Sequence, residues 1–206
     1  MLIDSKEKLI SVIKTCSLIL FDFDGTLFDL HISWENIQQY IYNHFKKEYN
    51  EEIPFFNRFY TMFEFIEEKK GKEVKKFYFR YLQNQELEAV KEKKFSSTWL
   101  ANQGINQIDE LIRYDTMYGI VSSNFHDTVL EVLSYYEMID KFQVIIGRDD
   151  VENAKPNPEG INQIISAYNL SRDKILFIGD TIVDEEAAQN AQINFIYVEK
   201  LQNFLE

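Results

Sequence analysis

LILFDFDGTLFDL, residues 18–30, opens with four apolar residues and then places two acids, Asp22 and Asp24, one residue apart ahead of Gly25 and Thr26. A short unbroken apolar run closed by acids and glycine reads as a strand buried on both faces that ends in a polar loop. Four further runs have the same form: MYGIVSSN (117–124), FQVIIG (142–147), KILFIGD (174–180) and NFIYV (194–198). Between them lie stretches of helical periodicity at Ile105–Tyr114, Asp127–Met138, Pro158–Tyr168 and Asp184–Ala191. Strands alternating with helices predict an α/β fold, a parallel sheet wrapped by helices.

The segment from residue 30 to residue 97 departs from that pattern. Apolar residues recur at helical spacing in three runs: Trp34, Ile37, Ile41 and Phe45; Phe55, Phe59, Met62, Phe63 and Ile66; and Val74, Phe77, Tyr78, Tyr81 and Leu82. They read as the core of a small helical bundle. Charge divides the chain in the same place. Of 22 basic and 34 acidic side chains, residues 30–97 carry 12 and 11, leaving 10 and 23 for the remainder. The expected organisation is therefore an α/β domain of residues 1–29 and 98–206, with a helical insertion at 30–97 after the first strand. The insertion's many lysines read as a solvated face.

A chain of 206 residues with 45% hydrophobic content has enough apolar surface for a buried core. One cysteine, Cys16, excludes an intramolecular disulfide and a four-cysteine zinc site. The first 20 residues lack a secretory leader pattern, and the apolar runs are too short to span a bilayer, so a soluble cytoplasmic protein without a membrane partner is expected. A net charge of −12 disfavours binding to a nucleic-acid backbone. The run Asp4–Lys14 has the pattern of a short amphipathic helix. Nothing in the sequence sets an oligomeric state.

In parallel α/β folds the ligand crevice lies beyond the carboxyl ends of the strands. The residues found there are Asp22 and Asp24, then Ser122, Ser123 and Asn124, then Lys155 in NAKPNP, then Asp180 and Asp184 in GDTIVD. Carboxylates from two strand ends repel one another unless a cation joins them. Oxygen-only ligands without nearby cysteine or histidine favour Mg2+. Ser122, the backbone N–H groups after it and Lys155 suit a phosphate dianion. Asp22 is then a candidate nucleophile towards phosphorus, and Asp24 a proton shuttle. Glu185 and Glu186 read as first-turn helix acids favoured by the dipole. His31, His44 and His126 have no metal-ligand spacing.

DFDGTLFD, Ser122 after a strand, Lys155 before proline, and GDTIVDEEAA resemble, in order, the four motifs of the haloacid dehalogenase (HAD) superfamily of phosphohydrolases, phosphoglycolate phosphatases among them. The resemblance implies a Rossmann-like core with an α-helical cap inserted after the first motif strand, acting as a lid. It implies Asp22 as nucleophile and metal ligand, and Asp24 as general acid/base lending its backbone carbonyl to the metal. It further implies Asp180 as a ligand of the Mg2+, Asp184 as holding the metal or a water bound to it, and Ser122, Ser123, Asn124 and Lys155 as binding the phosphoryl group. The substrate implied is a small phosphorylated metabolite. A phosphomutase of the same superfamily and a non-catalytic module on this fold are the alternatives. Mutase kinship calls for histidine 12 residues after the nucleophile, where this chain has Trp34, and a binding module has no need of the complete set. Leu30, Ala154, Glu185 and Gln192 depart from the commoner pattern without removing a catalytic group.

Overall fold

The computed structural model describes residues 1–56 and 59–206. Its strands are β1 (Leu18–Phe21), β2 (Phe28–Leu30), β3 (Phe95–Ser97), β4 (Met117–Val121), β5 (Val144–Ile146), β6 (Ile175–Gly179) and β7 (Asn194–Tyr197). The five apolar runs form one parallel sheet in the order β5-β4-β1-β6-β7. Every residue of β1 and β6 is buried, which is why these strands are apolar throughout rather than alternating. From β1 the chain steps outward to β4 and β5, then crosses back to β6 and β7. The reversal puts a topological switch point, and hence a crevice, at the carboxyl ends of β1 and β6.

The helices are α1 (Lys6–Ile13), α2 (Trp34–Tyr49), α3 (Phe59–Lys70), α4 (Lys72–Lys91), α5 (Ile105–Asp109), α6 (His126–Tyr135), α7 (Glu159–Tyr168), α8 (Ile182–Asn190) and α9 (Val198–Leu205). Leu18, Leu20 and Phe177 of the sheet pack with Ile161 and Ile164 of α7 and Ala188 of α8 in one buried cluster. Helix α5 ends at Asp109, short of the expected Tyr114, and a π-helical turn at Leu100–Gly104 precedes it. Helix α6 stops at Tyr135, two residues before Glu137 takes a left-handed φ of 56° that a helix cannot continue through. Ser5 caps α1, accepting from the Lys8 N–H at 3.3 Å. The residues before it do something the sequence reading did not foresee. Ile3 N–H donates to Phe195 O at 2.9 Å and Phe195 N–H to Met1 O at 3.0 Å, so Met1–Ile3 pair along β7. Among the described residues no helix is long and apolar enough to cross a membrane.

The chain divides into two units, Met1–Leu30 with Phe95–Glu206, and His31–Lys94. The antiparallel ladder of β2 and β3 belongs to the first. The second is helical, its core built from Ile37, Ile41 and Phe45 of α2, Met62, Phe63 and Ile66 of α3, and Tyr78 and Leu82 of α4. Two aromatics depart from the expected packing. Phe55 precedes α3 and is 76% exposed, and Phe77 is 49% exposed. The buried line of α4 runs through Tyr78, Leu82, Glu86 and Ala89, one residue around the helix from Phe77 and Tyr81. Phe77 and Tyr81 instead stack on His44 and Tyr40 of α2, with ring centroids 5.3 and 4.2 Å apart.

Candidate active site

Pairing between β1 and β6 continues one residue beyond β1, where Asp22 N–H donates to Ile178 O at 2.9 Å. This rung fixes Asp22 at the switch point, 5% exposed. The chain then turns back sharply, with Gly25 at φ +82° and its N–H on Phe28 O at 2.7 Å. A Cβ at position 25 would lie 2.3 Å from Asp180 Oδ2, so glycine is required both for the left-handed φ and for the approach of the carboxylate. Buried Thr26 donates from Oγ1 to Asp180 Oδ1 at 3.3 Å, tying the two strand ends together.

Helix α8 starts with a capping box. Asp184 Oδ2 accepts from Thr181 N–H at 3.1 Å and from Thr181 Oγ1 at 2.6 Å. Its other oxygen, Oδ1, accepts from Lys155 Nζ at 2.6 Å, and Nζ also donates to Asp22 Oδ1 at 2.5 Å. Asp184 is therefore a helix-cap acid and a member of the cluster at once. Lys155 is buried, with Nζ 5.5 Å from the centroid of the Phe177 ring. Asn190 Nδ2 donates to Pro156 O at 2.9 Å and ties the lysine loop to the end of α8.

Ligand oxygens of Asp22, Asp180 and Asp184 all lie within 4.8 Å of one another. Burial, and then the charge of Asp184, push the Asp22 carboxyl well above the ordinary aspartate range, against the pull of Lys155. Burial and Asp184 likewise raise Asp180. Burial opposes the charge on Lys155, yet Asp184 and Asp22 outweigh it and hold the ammonium above its usual range. One lysine thus leaves a surplus of negative charge in a small volume. Three carboxylates with no nitrogen or sulfur donor among them fit a hard divalent cation.

The three acids that converge, Asp22, Asp180 and Asp184, are those of the expected metal site whose side chains were to face the ion. Asp24, expected to lend its backbone carbonyl, accepts from Leu30 N–H at 2.7 Å through Oδ1. Ser122 and Asn124 are buried at the carboxyl end of β4, beside β1 in the sheet, and Ser123 is exposed. Ser122 Oγ accepts from Asn124 N–H at 3.0 Å and donates to Asn124 Oδ1 at 3.1 Å. Glu185 is more than a solvated acid, because it accepts from the Tyr197 hydroxyl. Sequence reading assigned no part to Thr26, Thr181 or Asn190. Thr181 was legible through the Thr-x-x-Asp spacing of a capping box; Thr26 and Asn190 act through contacts distant in the chain that no local pattern announces.

The model of the haloacid dehalogenase-like hydrolase family matches residues 19–198. Pyrophosphatase PpaX from Listeria monocytogenes is 30% identical over 189 residues, covering 84% of this chain and 79% of the relative. Among solved structures, CbbY from Rhodobacter sphaeroides in complex with phosphate is similar with a TM-score of 0.62 at 14% identity, covering 88% of this chain and 85% of that one. A HAD-superfamily hydrolase from Ehrlichia chaffeensis is similar with a TM-score of 0.54 at 20% identity, covering 93% and 97%. The two structures bear on the fold alone.

Proposed function

The chain belongs to the haloacid dehalogenase-like hydrolases, and from that premise we propose an Mg2+-dependent phosphatase of a small phosphorylated metabolite. The observation that carries the proposal is Lys155 Nζ lodged between Asp22 and Asp184, with Asp180 within reach of both acids. Asp22, Asp180 and Asp184 would hold the ion with the backbone carbonyl of Asp24, and the ion would supply charge neutralisation for a phosphate dianion. A carboxylate oxygen of Asp22 attacks phosphorus; the new O–P bond forms as the bond to the leaving oxygen breaks, giving an aspartyl-phosphate. Asp24 donates a proton to the leaving oxygen, then takes one from the water that hydrolyses the intermediate. Ser122, Ser123, Asn124 and Lys155 bind the phosphoryl oxygens, so the transferring group stays fixed while its partners change. The helical unit His31–Lys94, a cap inserted between Asp24 and Ser122, supplies none of these groups, and the choice of leaving group is assigned to it.

The PpaX relatives are named pyrophosphatases, so pyrophosphate belongs beside organic monoesters among the substrates to try. Phosphate release from a generic aryl phosphate and from pyrophosphate should require Mg2+ and stop on chelation. Full turnover in excess chelator with no residual metal would overturn the proposed metal dependence, and no release from any phosphate ester would overturn the reading.

A further inference from the structure

Beyond Ser122, the loops that follow β4 and β5 remain joined. Ser122 N–H donates to Ile146 O at 2.9 Å as the last rung of the sheet, and Arg148 N–H then donates to Asn124 O at 2.7 Å. No side chain of the N-cap residue Phe125 caps α6. The acceptor for its first N–H comes from 23 residues further along the chain, where Asp149 Oδ1 receives His126 N–H at 2.8 Å. The His126 ring pairs through Nδ1 with Asp150 Oδ2 at 2.5 Å, and the same oxygen accepts Gly147 N–H at 2.7 Å. The loops touch so closely that a Cβ at position 147 would lie 2.5 Å from His126 N. Residues 122–126 are thus held at successive points by residues 146–150.

The holding segment continues to Lys155, the other phosphate-binding residue of the proposed site. Glu159 accepts Glu152 N–H at 2.9 Å and Asn153 N–H at 3.0 Å at the start of α7, and Lys155 follows within the same loop. One stretch of chain, 146–159, therefore grips the Ser122–Asn124 loop at one end and carries Lys155 near the other. We propose that His126, Asp149 and Asp150 are positioning residues that set the spacing of this phosphate cradle and hence the affinity of the enzyme for phosphate. The proposal rests on the phosphatase reading. The hydrogen bonds given for these side chains join the two loops to each other, so the side chains act through the loop that carries Ser122 and Asn124. His126 and Asp150 are about one third exposed and lie outside the buried core.

The test uses the full chain with Mg2+ and compares Asp149→Ala, Asp150→Ala and His126→Ala with wild type. The quantities read are KM and kcat for an aryl phosphate, inhibition by inorganic phosphate, the Mg2+ concentration for half-activity, and the thermal midpoint. KM and the phosphate inhibition constant should rise together by roughly tenfold, while kcat and the Mg2+ requirement move little. Asp149→Asn, which keeps an acceptor for His126 N–H, should restore both constants. Asp109→Ala is the comparison for a merely structural loss. It removes the acceptor of the Tyr118 hydroxyl and should lower the midpoint without moving KM. Should Asp150→Ala not fold, Asp149→Ala carries the test. A fall in midpoint alone, or a loss confined to kcat or to Mg2+ affinity, would overturn the clamp. Wild-type protein that neither hydrolyses an aryl phosphate nor binds inorganic phosphate would instead overturn the phosphatase reading, and the clamp with it.

Discussion

Asp22 is held in a state that costs the folded chain energy. Burial and Asp184 raise its carboxyl above the aspartate range, so ionising it is harder in the folded protein than in the unfolded one. Its contribution to stability is accordingly intact below the ordinary aspartate range and lost as pH rises through the raised folded value. Asp22→Asn removes that loss and leaves Lys155 paired with Asp184. In chelator near neutral pH the variant should melt a few degrees above wild type, since about 1 kcal/mol moves the midpoint of a chain of this size by roughly 2–4 °C. The difference should shrink towards about pH 4, and calorimetry showing the variant less stable throughout would contradict this account. The same substitution should abolish turnover, because an amide is a poor nucleophile. Asp24→Asn should keep Mg2+ and phosphate binding but lose roughly 100- to 10,000-fold in rate, with a phospho-enzyme formed from a good leaving group decaying slowly. Normal turnover in either variant would reverse the assignment of roles. Asp22, Lys155, Asp180 and Asp184 were legible because each follows an apolar run or lies in the loop that answers it. The orientation of Asp24 was not, because it depends on the dihedral of Gly25 and on a hydrogen bond to Leu30.

At the scale of elements, the start of α8 joins helix stability to the acid cluster. Thr181 supplies two hydrogen bonds to Asp184 Oδ2, and Asp184 holds Lys155 with its other oxygen. Thr181→Ala should cost about 1 kcal/mol through the lost cap, and should raise the Mg2+ concentration for half-activity because Asp184 is less firmly aimed. Glu186→Ala, in the same helix but outside the acid cluster, should change that requirement little. A Thr181→Ala enzyme with a lower midpoint and an unchanged Mg2+ requirement would show that the cap and the site are independent. Elements buried on both faces were read well, because β1 and β6 admit only apolar residues until the strand ends. Helices of the second unit were read less well. Aromatics on α4 lie at two adjacent angles, and spacing alone did not distinguish the buried Tyr78 from the exposed Phe77. The pairing of Met1–Ile3 with β7 was invisible locally, since three residues carry no period and the partner lies more than 190 positions away.

Across the whole molecule the formal charge is −12, and the imbalance lies outside residues 30–97, in the part of the sequence that supplies Asp22, Asp180 and Asp184. A phosphate ester is itself an anion, so its long-range approach is opposed even where the local site, once a cation is held, attracts it. Such opposition acts over a Debye length and weakens as salt shortens that length from roughly 30 Å at about 10 mM to about 8 Å near 150 mM. The surface should therefore lower the encounter rate at low ionic strength, an effect that belongs to the net charge rather than to any one residue. With Mg2+ held saturating and an inert salt added, kcat/KM for a dianionic substrate should rise, by roughly twofold or more, over that range. kcat measured at saturating substrate should stay flat, since the bound phosphate no longer samples the distant field. Paired substitutions of surface acids in residues 98–206 by glutamine, away from the cluster, should reduce the salt dependence in proportion to the charge removed. A kcat/KM that falls steadily with salt would mean that a local positive field dominates capture, and the lysines of the helical insertion would then be the residues to neutralise next.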